Sequence, residues 1–208
     1  MKRFIILICF SFILILNSCE QRGGEQVERQ KTYIDTVKER ITAFAPVKVE
    51  VDTTFLSDNE KILLEKLAEA GKIADEIFWQ QSAHDAKQVR DSLANLKGDD
   101  NKLLQQYVRI NYGPYDVIHS NERFIPGEPR IRPIGAGFYP IDMTKEEFED
   151  AVKTNPSLKQ QFEDLYTVII RKDGKLQAIP YSKYYPEIEA LASKLEEAAN
   201  YADDIPLK

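Results

Sequence analysis

Ser57-Asp58-Asn59-Glu60, followed by Lys61-Ile62-Leu63-Leu64 and an apolar-periodic run to Gln81, commits the chain to a mainly helical architecture. A serine with glutamate three residues later is a capping box: the hydroxyl accepts from the Glu60 amide while the carboxylate reaches back to the serine amide. Leu63, Leu67, Ala70, Ala74 and Ile77 recur on one side at helical spacing, and Lys61, Glu65, Glu69, Lys72 and Glu76 fall elsewhere. The spacing predicts one long amphipathic helix whose stripe closes on Phe78-Trp79 as a large aromatic anchor.

Towards the N-terminus, Val47, Val49 and Val51 alternate with Lys48, Glu50 and Asp52, which predicts a short strand with one buried face. Ahead of it, Tyr33, Ile34, Val37 and Ile41 predict a helix that ends at Phe44-Ala45-Pro46, because the residue before proline avoids the helical region. Towards the C-terminus, Val89, Leu93 and Leu96 predict a helix stopped by Gly98, and Leu103, Leu104, Tyr107 and Val108 predict another. Between Asn111 and Pro140 the periodicity gives way to glycines, prolines and aromatics; this is an ordered loop region, and loops of such length usually serve a function. Thr144-Lys145-Glu146-Glu147 reads as a second capping box, and Asn155-Pro156 as an N-cap with proline at the first helical position. Residues 166–170 and 176–179 flank Asp173-Gly174, the signal of a tight hairpin whose central residues need positive φ. Pro186 opens a last helix with Ile188, Leu191, Leu195 and Ala198 as its stripe. The expected fold is therefore α+β, mainly helical, with a short N-terminal strand and a C-terminal β-hairpin.

The first residues predict a destination. Met1-Lys2-Arg3, an apolar run from Phe4 to Leu16, and Leu16-Asn17-Ser18-Cys19 follow the order of a secretory signal ending in a lipoprotein cleavage box. The run is shorter than the roughly 20 apolar residues that a membrane-spanning helix requires. Residues 1–18 are thus expected to be a lipoprotein signal peptide, with Cys19 becoming the lipidated first residue of a protein held at a bacterial cell-envelope membrane, periplasmic or surface-facing. Several acyl chains give stable anchoring where one is marginal. An uncleaved helix or an ordinary signal peptide is the alternative. Residues 19–30, rich in Glu, Gln, Arg and Gly, read as a flexible tether, and residues 31–208 as a single domain.

Composition removes several chemistries. The formal net charge is -6 and no dense Lys/Arg cluster occurs, so nucleic acid is not an expected partner. Cys9 and Cys19 are the only cysteines, and both precede the expected domain. His84 and His119 are the only histidines, and neither lies in the spacing of a helical zinc site, so no metal site and no cofactor are expected within this chain. His84 sits in a polar stretch and reads as a surface residue; His119, flanked by Asp116 and Asn121, is a candidate ligand contact. No serine or cysteine occupies a nucleophile-elbow context. Gly135-Ala136-Gly137 lacks the third glycine of a dinucleotide fingerprint and reads as a turn under Phe138 and Tyr139. Glu146, Glu147, Glu149 and Asp150 read as the solvated first turn of a helix.

The stretch from Tyr107 to Asp116, with Asn121-Glu-Arg-Phe-Ile125 and residues 135–148, resembles the front part of bacterial proteins related to the dipeptidyl-peptidase III family, zinc exopeptidases with nudix-associated relatives. Phe44-Ala-Pro-Val-Lys-Val-Glu-Val51, Ala74-Asp-Glu-Ile-Phe-Trp-Gln-Gln81 and Ala178-Ile-Pro-Tyr181 fit the same picture. The resemblance runs from about Phe44 to the C-terminus and implies a complete relative that binds a peptide in a cleft between two lobes. Such a relative removes a dipeptide from the amino end with zinc-bound water as nucleophile. In that family the metal and the catalytic glutamate are held by a His-Glu-x-x-x-His helix and a later glutamate, and this sequence contains neither.

Two explanations follow from the resemblance. The chain is a truncated or split product retaining the front lobe, or a free-standing module that keeps a binding surface; its ending soon after a family-like helix favours the first. Asn111, Tyr112, Tyr115 and Asp116 are the candidate substrate contacts, and the alternative is that this loop only covers the helices. The expected function is that of a membrane-anchored amino-terminal fragment of a zinc-dependent dipeptidyl-peptidase III-like exopeptidase, catalytically incomplete alone. Its partners would be the membrane, peptides or a missing catalytic lobe. The rival class is a non-enzymatic envelope lipoprotein that binds peptides or partner proteins.

Overall fold

The computed structural model describes residues 33–203, so the expected signal peptide, Cys19 and the tether lie outside the described residues. The described residues divide into two units, one ending at Ala45 and the other beginning at Pro46. In the first, helix α1 (33–41) buries Ile34 and Val37 one turn apart, and the chain turns off the helix ahead of Phe44, as the proline at 46 requires.

The second unit is organised on α2 (Asp58–Ser82). Its N-terminus carries the complete capping box: the Ser57 hydroxyl accepts from the Glu60 amide at 3.1 Å and the Ser57 amide donates to the Glu60 carboxylate at 2.7 Å. Leu63, Ala70, Ile77 and Trp79 are buried along it. α3 (Ala86–Leu93) and α4 (Asp99–Asn111) follow, separated by Gly98 at φ +100°, a conformation that glycine adopts freely because it has no Cβ to clash with the backbone.

The loop region is ordered and contains two brief strands, β1 (Tyr115–Asp116) and β2 (Glu122–Arg123), paired antiparallel. α5 (Lys145–Thr154) begins at Thr144, whose side chain accepts from the Glu147 amide at 3.1 Å. That is one half of the expected capping box. The Glu147 carboxylate instead receives the Arg171 guanidinium at 2.6 and 2.9 Å. A 3₁₀ turn (Pro156–Leu158) with proline first leads into the short α6 (Lys159–Phe162).

The hairpin β3 (Thr167–Lys172) and β4 (Lys175–Pro180) turns at Asp173-Gly174, with φ of +52° and +72°. Its faces alternate as strand geometry dictates. Val168 packs with Ile77 and Tyr185 on one side, and Ile169 packs with Phe162 and Leu176 on the other, so the hairpin is covered on both faces. α7 (Tyr181–Tyr184) and α8 (Glu187–Ala199) return along α2. The end of α8 is fastened to the start of α2 by Asp203, which accepts from the Ser57 hydroxyl at 3.0 Å and from Asn59 Nδ2 at 2.9 Å.

One expected element differs. Residues 46–53 are not a strand: they pair with no strand among the described residues, and Val47, Val49 and Val51 are 79, 81 and 71 % exposed. The alternation is real in the sequence, but a strand needs a neighbouring edge, and this unit offers none to that segment.

Candidate functional site

The C-terminal third of α2 presents Asp75, Phe78 and Gln81 to an open, largely apolar groove of about 410 Å³, completed by Ile77, Tyr112, Tyr181, Ile188 and Leu191. Tyr112 is placed there by the end of α4. It sits in the left-handed region at φ +50°, where its amide closes the helix on the Val108 and Arg109 carbonyls and its ring swings back over α2. Ring centroids lie 4.6 Å from Phe78, edge to face, and 4.9 Å from Trp79. The Tyr112 hydroxyl donates to Asp75 Oδ1 at 2.6 Å, and Trp79 Nε1 donates to Asp75 Oδ2 at 3.3 Å. The hydrogen bond to the Asp75 carboxylate, with burial, holds the Tyr112 phenol above its ordinary pKa. The opposite wall is aromatic too: Tyr181 lies against Tyr185, Tyr166 and Phe138, and burial raises its phenol. Such a groove, largely apolar with a fixed carboxylate at its rim, is suited to hold an apolar side chain of an extended ligand.

The other sequence candidates serve the frame. Asp116 is fully buried; its carboxylate accepts from the Tyr107 hydroxyl at 2.6 Å and from the amides of Ile118 and His119 at 3.2 and 3.1 Å. His119 Nδ1 lies 2.9 Å from the same carboxylate, while the ring is half-exposed. Asn111, also buried, donates to the Tyr107 carbonyl at 3.0 Å and accepts from the Val117 amide at 3.1 Å, locking the turn after α4. The Tyr115 hydroxyl accepts from Arg123 at 3.0 Å, and Arg123 pairs with Asp85 at 2.7 Å with its guanidinium over the Tyr115 ring. Thus Tyr112 alone among the four candidates borders the groove.

Gly135-Ala136-Gly137 is a turn, as its composition implies. The Gly137 amide donates to the Gln81 carbonyl at 3.0 Å, and a Cβ there would stand 2.0 Å from the Gln80 carbonyl oxygen. The next residue, Phe138, accepts from the Ile169 amide, so this turn binds α2 to β3. Asp75, Gln81 and Tyr181 were not singled out by sequence reasoning. The Asp75–Trp79 spacing of four on a helix could have flagged the first.

A second, more polar concavity of about 400 Å³ lies beside Gln80, His84, Lys87, Asp91 and Tyr184. His84 is exposed there. Next to it, Glu76 accepts from Lys87 at 2.7 Å and from Arg90 at 2.7 and 2.9 Å; these bonds, Arg90 first, hold its carboxyl down to about 2. Among the described residues, no three His, Cys, Asp or Glu side chains are grouped to hold a metal ion, so the residues present do not fit a catalytic zinc.

The arrangement has a dipeptidyl-peptidase III-like fold, and comparison with known proteins gives it particulars. The structure of dipeptidyl-peptidase III from Caldithrix abyssi superposes with a TM-score of 0.78 and 38% sequence identity, covering 82% of this chain and 32% of that one. The structure of dipeptidyl-peptidase III from Corallococcus sp. strain EGB superposes at 0.77 with 33% identity, covering 84% of this chain and 33% of that one. Nudix hydrolase 3 from Arabidopsis thaliana is 26% identical over 238 residues, 86% of this chain and 31% of its own length. The chain spans about a third of the length of each. No family model matches it.

Proposed function

We propose that this chain is the membrane-anchored amino-terminal portion of a zinc-dependent dipeptidyl-peptidase III-like exopeptidase, catalytically incomplete alone. The observation that carries the reading is the Caldithrix likeness, 38% identity at a TM-score of 0.78 over most of this chain but a third of the enzyme. Zinc, when held by the remainder of such an enzyme, supplies the activated water. This chain's part is to bind and orient: the groove between α2, Tyr112 and α8 would seat an apolar side chain of the peptide, with Asp75 and Tyr112 holding each other in place at its rim.

The anchor rests on Leu16-Asn17-Ser18-Cys19, which supports placement at a bacterial envelope membrane. A Cys19→Ser variant is expected in the soluble fraction, and undiminished membrane retention contradicts the anchor. The test of the enzymatic reading is the DNA beyond the Lys208 codon and in the adjacent gene. A His-Glu-x-x-x-His segment there, in any frame, supports it. Its absence from both favours the envelope lipoprotein that binds peptides without chemistry.

A further inference from the structure

We propose that residues 46–53 are a β-strand in waiting, which pairs with the edge of a sheet supplied by the polypeptide that completes the dipeptidyl-peptidase III-like fold; this rests on the reading under Proposed function. Val47, Val49 and Val51 alternate with Lys48, Glu50 and Asp52, and all three valines are more than two-thirds exposed. Among the described residues, no backbone group of 46–52 bonds to another backbone group. Lys48 and Glu50, two residues apart, form an ion pair, as side chains on one face of an extended chain do. The stretch ends where Asp52 Oδ1 accepts from the Thr54 amide at 2.9 Å and the Thr54 hydroxyl at 2.6 Å.

An exposed row of β-branched side chains with unpaired backbone is an edge that natural proteins cover. Each superposed enzyme is about three times as long as this chain, and under the reading proposed above its remaining length supplies the cover. The face pattern says what the partner must offer. Its sheet edge is backed by an apolar surface on the valine side and open to water on the Lys48, Glu50 and Asp52 side.

The test places this chain's sequence in the matched third of Caldithrix abyssi dipeptidyl-peptidase III, giving a full-length chimera, and compares Val49→Pro there and in this chain by itself. Proline removes the amide that a ladder needs. In this chain alone the substitution is expected to leave the melting temperature unchanged. In the chimera, amides within 47–52 are expected to exchange roughly a hundredfold more slowly than in this chain. There Val49→Pro abolishes the protection, and Val49→Thr, which keeps the amide and the branch, retains it. Fast exchange across 47–52 in a chimera that releases dipeptides overturns the strand and leaves the enzymatic reading standing. Protection in a chimera that releases none upholds the strand and counts against that reading. A chimera with no cooperative melt overturns both.

Discussion

Tyr112 and Asp75 are joined by a 2.6 Å hydrogen bond that ties the left-handed end of α4 to the C-terminal third of α2. The bond does two things. It satisfies a carboxylate on a mostly apolar wall, and it fixes the ring that separates the groove from Trp79. Tyr112→Phe keeps the ring and loses the donor, so a loss of about 1 kcal/mol is expected by urea denaturation. Tyr112→Ala also loses the packing on Phe78 and Trp79 and should lose about 3 kcal/mol.

Asp116 belongs to the interior. With Tyr107 and two amides depending on one fully buried carboxylate, Asp116→Ala is expected to destabilise by about 3 kcal/mol or more, read as a drop in the denaturant midpoint. A substitution that leaves stability intact would show that the carboxylate is not needed by the frame.

Two glycines should respond in opposite directions. Gly137→Ala drives a Cβ into the Gln80 carbonyl and should lose about 2 kcal/mol or more. Gly71→Ala, inside α2 with open space around it, should gain about 1 kcal/mol from helix propensity. Thermal melts of the two variants beside the parent chain decide both.

Acid should loosen the contact between α2 and α3. Glu76 is held down to about 2, first by Arg90 and then by Lys87, from an ordinary 4.5. A carboxyl depressed in the folded state contributes stability that is fully present above pH 4.5 and is lost as pH falls towards 2. Its side chain is 38% exposed, so solvent and salt shrink the effect. Between pH 4.5 and 2 the stability of Glu76→Gln should therefore fall less steeply than that of the parent, and the gap should narrow in 1 M salt.

What the sequence disclosed was what local physics determines. The Ser57–Glu60 box, the Asp173-Gly174 turn and the proline at 156 each act within four residues, and each stands where the spacing put it. The valines at 47, 49 and 51 could not disclose whether a neighbouring edge exists, because pairing is non-local. Nor could Asn111, Tyr115 and Asp116 reveal which way they point. In a loop without periodicity, a polar side chain looks the same whether it faces a ligand or caps its own turn. Thr144 shows a finer limit: its box is half made because Arg171, distant in sequence, claims Glu147.

The claim that this chain is one incomplete part of a zinc exopeptidase is tested most directly by assaying the purified protein for bound zinc and for dipeptide release from dipeptidyl arylamides. The account predicts no stoichiometric zinc and no release. Hydrolysis that a chelator abolishes and added zinc restores would contradict it.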